Sequence, residues 1–148
     1  MRFLLDVNVL IALIDPLNSR STEAHRWFST IGHKAWATCP VTQNGTIRIV
    51  GNPRYPNSPG NPSAVAGLLT KFVAFPGHEF WPDDVSLLDR RRVDLSRLAT
   101  SGQVTDSYLL ALAIAKGGQL ATFDRRIMAD AVQGGAQGLY LIGSNDLQ

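Results

Sequence analysis

Short apolar runs alternate along this chain with longer stretches whose apolar residues return every three or four positions. The first pattern predicts strands over residues 2–5, 34–39, 78–81, 120–123 and 139–142. The second predicts helices over 7–14, from Ser21 or Thr22 to 31, over 40–49, over 62–75, from Thr105 to the stop at Gly117-Gly118, and over 125–132. One helix or two short ones are expected within 84–98. The boundaries have chemical causes. Asp15-Pro16 ends the first helix because proline disfavours a helical residue before it. Gly32 stops the second, whose inward stripe is Trp27, Phe28 and Ile31, and Pro40 suits the first turn of the third. Prolines at 53, 56, 59 and 62 recur every third residue, a spacing that suits polyproline II within an ordered surface loop over 51–62.

Strands alternating with helices predict an α/β fold of three layers, helices on both faces of a central, mainly parallel sheet. No repeat, linker or composition shift divides the chain, so one domain over 1–148 is expected. At 148 residues and 45% hydrophobic content it can bury a sizeable core, in which Trp27, Trp36 and Trp81 are expected. Charged residues at 18% argue against disorder. The single cysteine, Cys39, excludes an internal disulfide and a cysteine-rich zinc site, and reads as a small core residue in a reducing compartment. Asp6, Asn8 and Asp15 interrupt the apolar N-terminus, and no stretch approaches the roughly 18 apolar residues of a membrane span. A cytoplasmic protein with no membrane association is therefore expected. A net charge of +2 permits an anionic partner without requiring one.

Three aspartates stand where apolar elements meet turns. Asp6 ends the run Phe3-Leu4-Leu5, Asp124 ends Leu120 to Phe123, and Asp106 lies at the head of the helix that begins at Thr105. Singly, Asp6 and Asp124 suit N-caps. Asp106 fits that explanation poorly, because its neighbours at i+3, i+4 and i+7 are Leu109, Leu110 and Ala113. In an open parallel sheet ligands bind beyond the carboxyl ends of the strands, and all three acids belong at that edge. Carboxylates crowded there need compensation. An oxygen-only set suits Mg²⁺ or Mn²⁺ rather than zinc. His25, His33 and His78 are scattered and read as surface or packing residues. No phosphate-binding glycine loop and no G-x-S-x-G elbow is present.

The chain resembles the PIN-domain family, and within it the VapC-type toxins of bacterial toxin–antitoxin pairs. The resemblance is carried by Leu4-Leu5-Asp6-Val7-Asn8-Val9-Leu10, Thr38-Cys39-Pro40-Val41-Thr42-Gln43-Asn44-Gly45, Val104-Thr105-Asp106-Ser107-Tyr108-Leu109-Leu110-Ala111-Leu112-Ala113 and Leu120-Ala121-Thr122-Phe123-Asp124. It implies metal-dependent cleavage of RNA by an acidic quartet. Asp6, Asp106 and Asp124 match three of the acids, and Asn8 matches a polar residue beside the first. Gln43 falls where most members carry glutamate, which removes a charge but keeps a carbonyl oxygen. Either a natural variant with altered metal demand or a disabling substitution accounts for it.

The expected reaction is hydrolysis of an RNA phosphodiester by metal-activated water. Asp6, Asp106 and Asp124 would hold one or two ions, and Asn8, Thr105 and Thr122 would orient ligands or water. The alternative is a catalytically weakened or inactive PIN-like module that binds RNA or its antitoxin. A receiver-type phosphoacceptor is disfavoured, since Asp6 lacks an adjoining acid and no lysine follows Lys116. For RNA contacts, Arg90-Arg91-Arg92 forms the densest positive cluster and Arg54-Tyr55 sets a charge beside a ring. A solvated face beside Asp89 and Asp94 is the plain alternative for the three arginines. The resemblance further implies an antitoxin partner and a homodimer.

Overall fold

Leu4 and Leu5 are adjacent and both fully buried. A strand points neighbouring side chains to opposite faces, so both faces of this one must be covered. β1 (Phe3–Leu5) is the middle strand of a five-stranded sheet. Its companions are β2 (Trp36–Thr38), β3 (His78–Phe80), β4 (Gln119–Thr122) and β5 (Leu139–Leu141), in the order β3-β2-β1-β4-β5. Every pairing is parallel, with Leu4 opposite Ala37 on one side and Leu120 on the other. The computed structural model describes residues 1–143.

The helices are α1 (Val7–Ile14), α2 (Ser21–Thr30), α3 (Pro40–Val50), α4 (Pro62–Val73), α5 (Gly102–Ala115) and the single turn α6 (Gly135–Gly138). Leu4, Ala37 and Leu120 share one apolar cluster with Trp81 and the α5 residues Leu109 to Ala113. Leu5 and Ala121 face the other, with Val9, Leu10, Trp27 and Trp36. The three-layer α/β/α architecture follows from these two clusters, and all three tryptophans and Cys39 lie in the core as expected. Among the described residues, no helix is long and apolar enough to cross a membrane.

Three of the expected helices need correction. The helix expected over 125–132 is absent. There the backbone partners are remote: Val132 bridges Val93, Asp94 donates to the Ala131 carbonyl at 2.8 Å, and Gln133 donates to that of Arg92 at 2.8 Å. Within 84–98 only one 3₁₀ turn forms, Leu95–Arg97. Asp89 and Asp94 accept from the backbone N–H groups of Arg91 and Ser96, at 3.0 and 3.1 Å, and such local bonds compete with a helix. Finally, α5 starts at Gly102 and not Thr105, which puts Asp106 in its second turn. Gln103 reaches back to accept from Ala99 and Thr100, each at 2.9 Å, so the donors ahead of the helix are satisfied earlier than the sequence suggested. The proline-rich loop also differs from an extended ribbon. It folds through successive turns, with Tyr55 donating to Asn52 and Ser58 to Tyr55.

The turn from α5 into β4 is tight. Gly117 takes φ +75°. Its N–H reaches the Ile114 carbonyl at 3.0 Å and that of Gly118 reaches Ala113 at 2.8 Å, closing a Schellman motif. Gln119 can then donate to Arg2 and begin the pairing with β1.

Candidate active site

β1 and β4 are neighbours, so the residues that follow them meet at the carboxyl edge of the sheet. Asp6 N–H donates to the Ala121 carbonyl at 3.0 Å. The Asp6 side chain has two duties. One oxygen accepts from Val7 N–H at 2.7 Å and caps α1, while the other accepts from the buried Thr122 hydroxyl at 2.8 Å. Capping and membership of an acidic centre are therefore compatible. Asn8 spans the two strand ends. Its amide donates to Thr122 Oγ1 at 3.2 Å, and its carbonyl accepts from Phe123 N–H at 3.2 Å. Asp124 N–H donates to Thr122 Oγ1 at 3.1 Å. The Asp124 carboxylate accepts from Arg126 N–H at 2.9 Å, so it caps a turn where a helix was expected.

Asp106 approaches from α5, half-buried beside Leu109 and Leu110, which are fully buried. Among the described residues its carboxylate has no hydrogen-bond or ion-pair partner. Burial first, then the charges of Asp6 and Asp124, push its pKa up from 3.8 to about 6. A place in the second helical turn gives it little help from the helix dipole. The Asp6 carboxyl is also raised, chiefly by burial, against the lowering bonds from Thr122 and Val7 and with Asp124 adding to the rise. The three acids thus share one electrostatic field, in which Asp124 pairs with Arg126 at 3.3 Å and Asp106 has no partner among the described residues. Their donor set is oxygen only and suits a hard divalent cation. Yet among the described residues no group of three or more histidine, cysteine, aspartate or glutamate side chains stands arranged to hold a metal ion. The acids are brought to one edge by the fold and feel one another's charge, but they do not form a metal cage.

Other expected site residues lie elsewhere or make different contacts. Gln43 is half-buried, and its amide donates to Thr38 Oγ1 at 3.0 Å. Thr38 Oγ1 also lies 2.7 Å from His78 Nε2, with the histidine tautomer setting which of the two donates. Burial first, then Arg2, lowers the His78 pKa, which favours the neutral ring. Thr105 is exposed. Tyr55 is spent on packing against Ile11, Val50 and Val65, and its hydroxyl donates to Asp15. Asp15 and Asp6 cap opposite ends of α1, roughly 12 Å apart for eight residues. Tyr55 is thus not a free ring beside the acids. Arg90, Arg91 and Arg92 line a separate groove of about 400 Å³ with Arg97, and Asp89 pairs with Arg91 and Arg92 at 3.2 and 3.5 Å.

Sequence reasoning missed a second feature of the acidic edge. A groove of about 430 Å³ is lined by Asn8, Arg20, Phe123, Asp124, Arg125 and Arg126. Arg20 stacks over the Phe123 ring at 5.0 Å and pairs with Glu23 at 3.2 Å. The signal available was Arg125-Arg126 directly after Asp124. Nothing in the sequence ties Arg20 to them.

A family model for the PIN domain matches residues 3–132. Ribonuclease VapC44 of Mycobacterium tuberculosis is 46% identical over 134 residues, spanning 90% of this chain and 94% of that protein. Ribonuclease VapC39 of the same organism is 39% identical over 135 residues, spanning 91% and 96%. Among solved structures, the chain is similar to M. tuberculosis VapC20, a toxin that cleaves the sarcin–ricin loop, with TM-score 0.62 and 14% identity over 88% of this chain and 96% of that one. It is also similar to a chain of VapBC2 from Rickettsia felis, solved bound to a DNA fragment from its promoter, with TM-score 0.56 and 13% identity over 85% and 90%. At such identities the two structures speak for the fold.

Proposed function

Since the chain belongs to the PIN-domain family, we propose that it is a VapC-type endoribonuclease, the toxin of a toxin–antitoxin pair, that hydrolyses RNA phosphodiesters with Mg²⁺ or Mn²⁺. One observation carries the reading: Asp106, half-buried and without a partner among the described residues, is pushed up to about 6 by burial and by Asp6 and Asp124. A fold does not keep such an arrangement for stability, and a functional site is the usual reason for it. The 46% identity to a protein named a ribonuclease supports the same reading.

Asp6, Asp106 and Asp124 would hold the cation. When bound, it supplies Lewis-acid polarisation of the scissile phosphate and eases ionisation of the attacking water. The chain's own groups set the stage for this. Thr122 donates to Asp6 and accepts from Asn8 and from Asp124 N–H, so one buried hydroxyl fixes the relative placement of two acids. Asn8, tied to both strand ends, is positioned to keep that edge from opening. Above about pH 6 Asp106 is ionised, the form that can bind a cation. Gln43 contributes no charge, so the centre has three carboxylates. An antitoxin protein and a second copy of the chain are the expected partners.

The test is cleavage of a short single-stranded RNA with Mg²⁺ or Mn²⁺ present. Wild type should cut, EDTA should stop it, and Asp106→Asn should lose most of the rate. Equal cutting by Asp106→Asn would remove the proposed role. The neutral Gln43 favours one rival, a module that binds RNA or antitoxin without cutting. Wild type that binds RNA but cuts with neither metal would establish that rival instead.

A further inference from the structure

An acidic centre repels the substrate proposed for it, because RNA carries a negative charge at every phosphate. Positive side chains beside the acids would offset that repulsion. The arginine groove described above supplies them: it shares Asn8 and Asp124 with the acidic centre and brings three guanidinium groups there, one of them paired with Glu23. We infer that this groove seats the RNA strand next to the scissile bond, with Arg20, Arg125 and Arg126 holding backbone phosphates; the inference rests on the nuclease reading.

The three arginines differ in freedom, and each suits a part. Arg20 is held by its stack on Phe123 and its bond to Glu23, so it is placed before substrate arrives. Planar guanidinium groups match phosphate oxygens two at a time, and a fixed one loses less freedom on binding. Arg125 is exposed and forms no ion pair among the described residues. Arg126 sits 3.3 Å from Asp124, but its side chain is 93% exposed. A pair so open to water is weak. Arg126 can therefore leave the acid for a phosphate, while its backbone N–H keeps its bond to Asp124.

The other arginine groove is the natural competitor, and there too all but one arginine has an acidic partner, Arg90 alone forming no ion pair among the described residues. Asp89 takes Arg91 and Arg92, while Asp94 and Asp130 take Arg97 at 3.4 and 3.3 Å. It also contains none of the residues of the acidic centre. The groove that adjoins the acids is that of Arg20, Arg125 and Arg126.

The experiment titrates the full chain with a fluorescein-labelled single-stranded RNA in EDTA, so that binding is read without cutting, over a series of salt concentrations. Arg125→Ala lies on an exposed turn and should fold normally. It should weaken binding about five- to tenfold and flatten the plot of log affinity against log salt by about 0.7, the slope of one lost phosphate contact on a single strand. Arg20→Ala should do the same. Lys71→Ala, which removes an equal charge from the exposed face of α4, should change neither. With metal restored, Arg125→Ala should raise KM and leave kcat nearly unchanged. Wild-type affinity and slope in both arginine variants would overturn the inference, as would an equal loss with Lys71→Ala. The two readings fail separately. Metal-dependent cutting with unchanged KM in the variants sinks the groove alone, and groove-dependent binding without cutting sinks the nuclease alone.

Discussion

Asp106 is a residue that the free protein would be more stable without. Its pKa of about 6 in the folded chain lies above its ordinary value of 3.8. Between those values the folded state holds a proton that the unfolded state has released, so stability falls as pH rises from about 4 to about 6 and stays lower above. Asp106→Asn removes the penalty. In EDTA at pH 7 it should stabilise the protein by about 1–2 kcal/mol, after discounting for partial exposure, and the gain should vanish near pH 4. Urea unfolding of both proteins at the two pH values reads the difference directly. Gln43 invites the opposite change. Gln43→Glu would add a fourth carboxylate, and the Thr38 hydroxyl can rotate to donate to it. Mn²⁺ binding, followed by isothermal calorimetry, should tighten about tenfold or more. Unchanged affinity would mean that Gln43 does not face the ion. At this scale Asp6, Asp106 and Asp124 were legible because an acid set against an apolar run is conspicuous. Thr38 and Arg20 were not, since their significance is a contact with residues 40 and 103 positions away, His78 and Phe123.

Elements were legible where their causes are local. β1, β2, β4 and α1 to α4 follow from apolar runs, prolines and glycine stops, and their bounds agree closely with the expected ones. The segments 84–98 and 125–132 were not, because what holds them is the pairing of Val93 with Val132 and of Asp94 with Ala131, which no window of sequence contains. The same distinction governs the α5–β4 turn. Its glycines announce a helix stop, but only the fold reveals why Gly118 tolerates no side chain: a Cβ there would collide with the Arg2 carbonyl and lie 2.9 Å from the Trp81 ring. Backbone cannot yield cheaply at a strand that pairs on both sides. Gly118→Ala should cost about 1–3 kcal/mol, seen as a lower urea midpoint with an unchanged slope. A neutral result would show that β1 and β4 can separate slightly at that end.

Over the whole molecule, the acids come from three separate places: the end of β1, the second turn of α5 and the end of β4. A cation that binds all three joins the central strands to the helix packed on one face, and can do so only in the folded chain. Binding then stabilises the fold by mass action, about 2.7 kcal/mol at a hundred times the dissociation constant. For a chain of this size that is a rise in Tm of about 5–10 °C. The rise must depend on pH. Protonation of Asp106 competes with the ion, so the Mn²⁺-induced shift should be largest above pH 7 and shrink as pH falls through about 6. Ca²⁺, which prefers six to eight ligands at longer distances, should give a smaller shift from so few donors. Differential scanning fluorimetry of wild type and Asp106→Asn, with each ion at pH 5.5 and 7.5, supplies every comparison. A shift of equal size in both proteins, or one indifferent to pH, would place the ion away from Asp106. It would also leave the unpaired carboxylate without the compensation that the proposed chemistry requires.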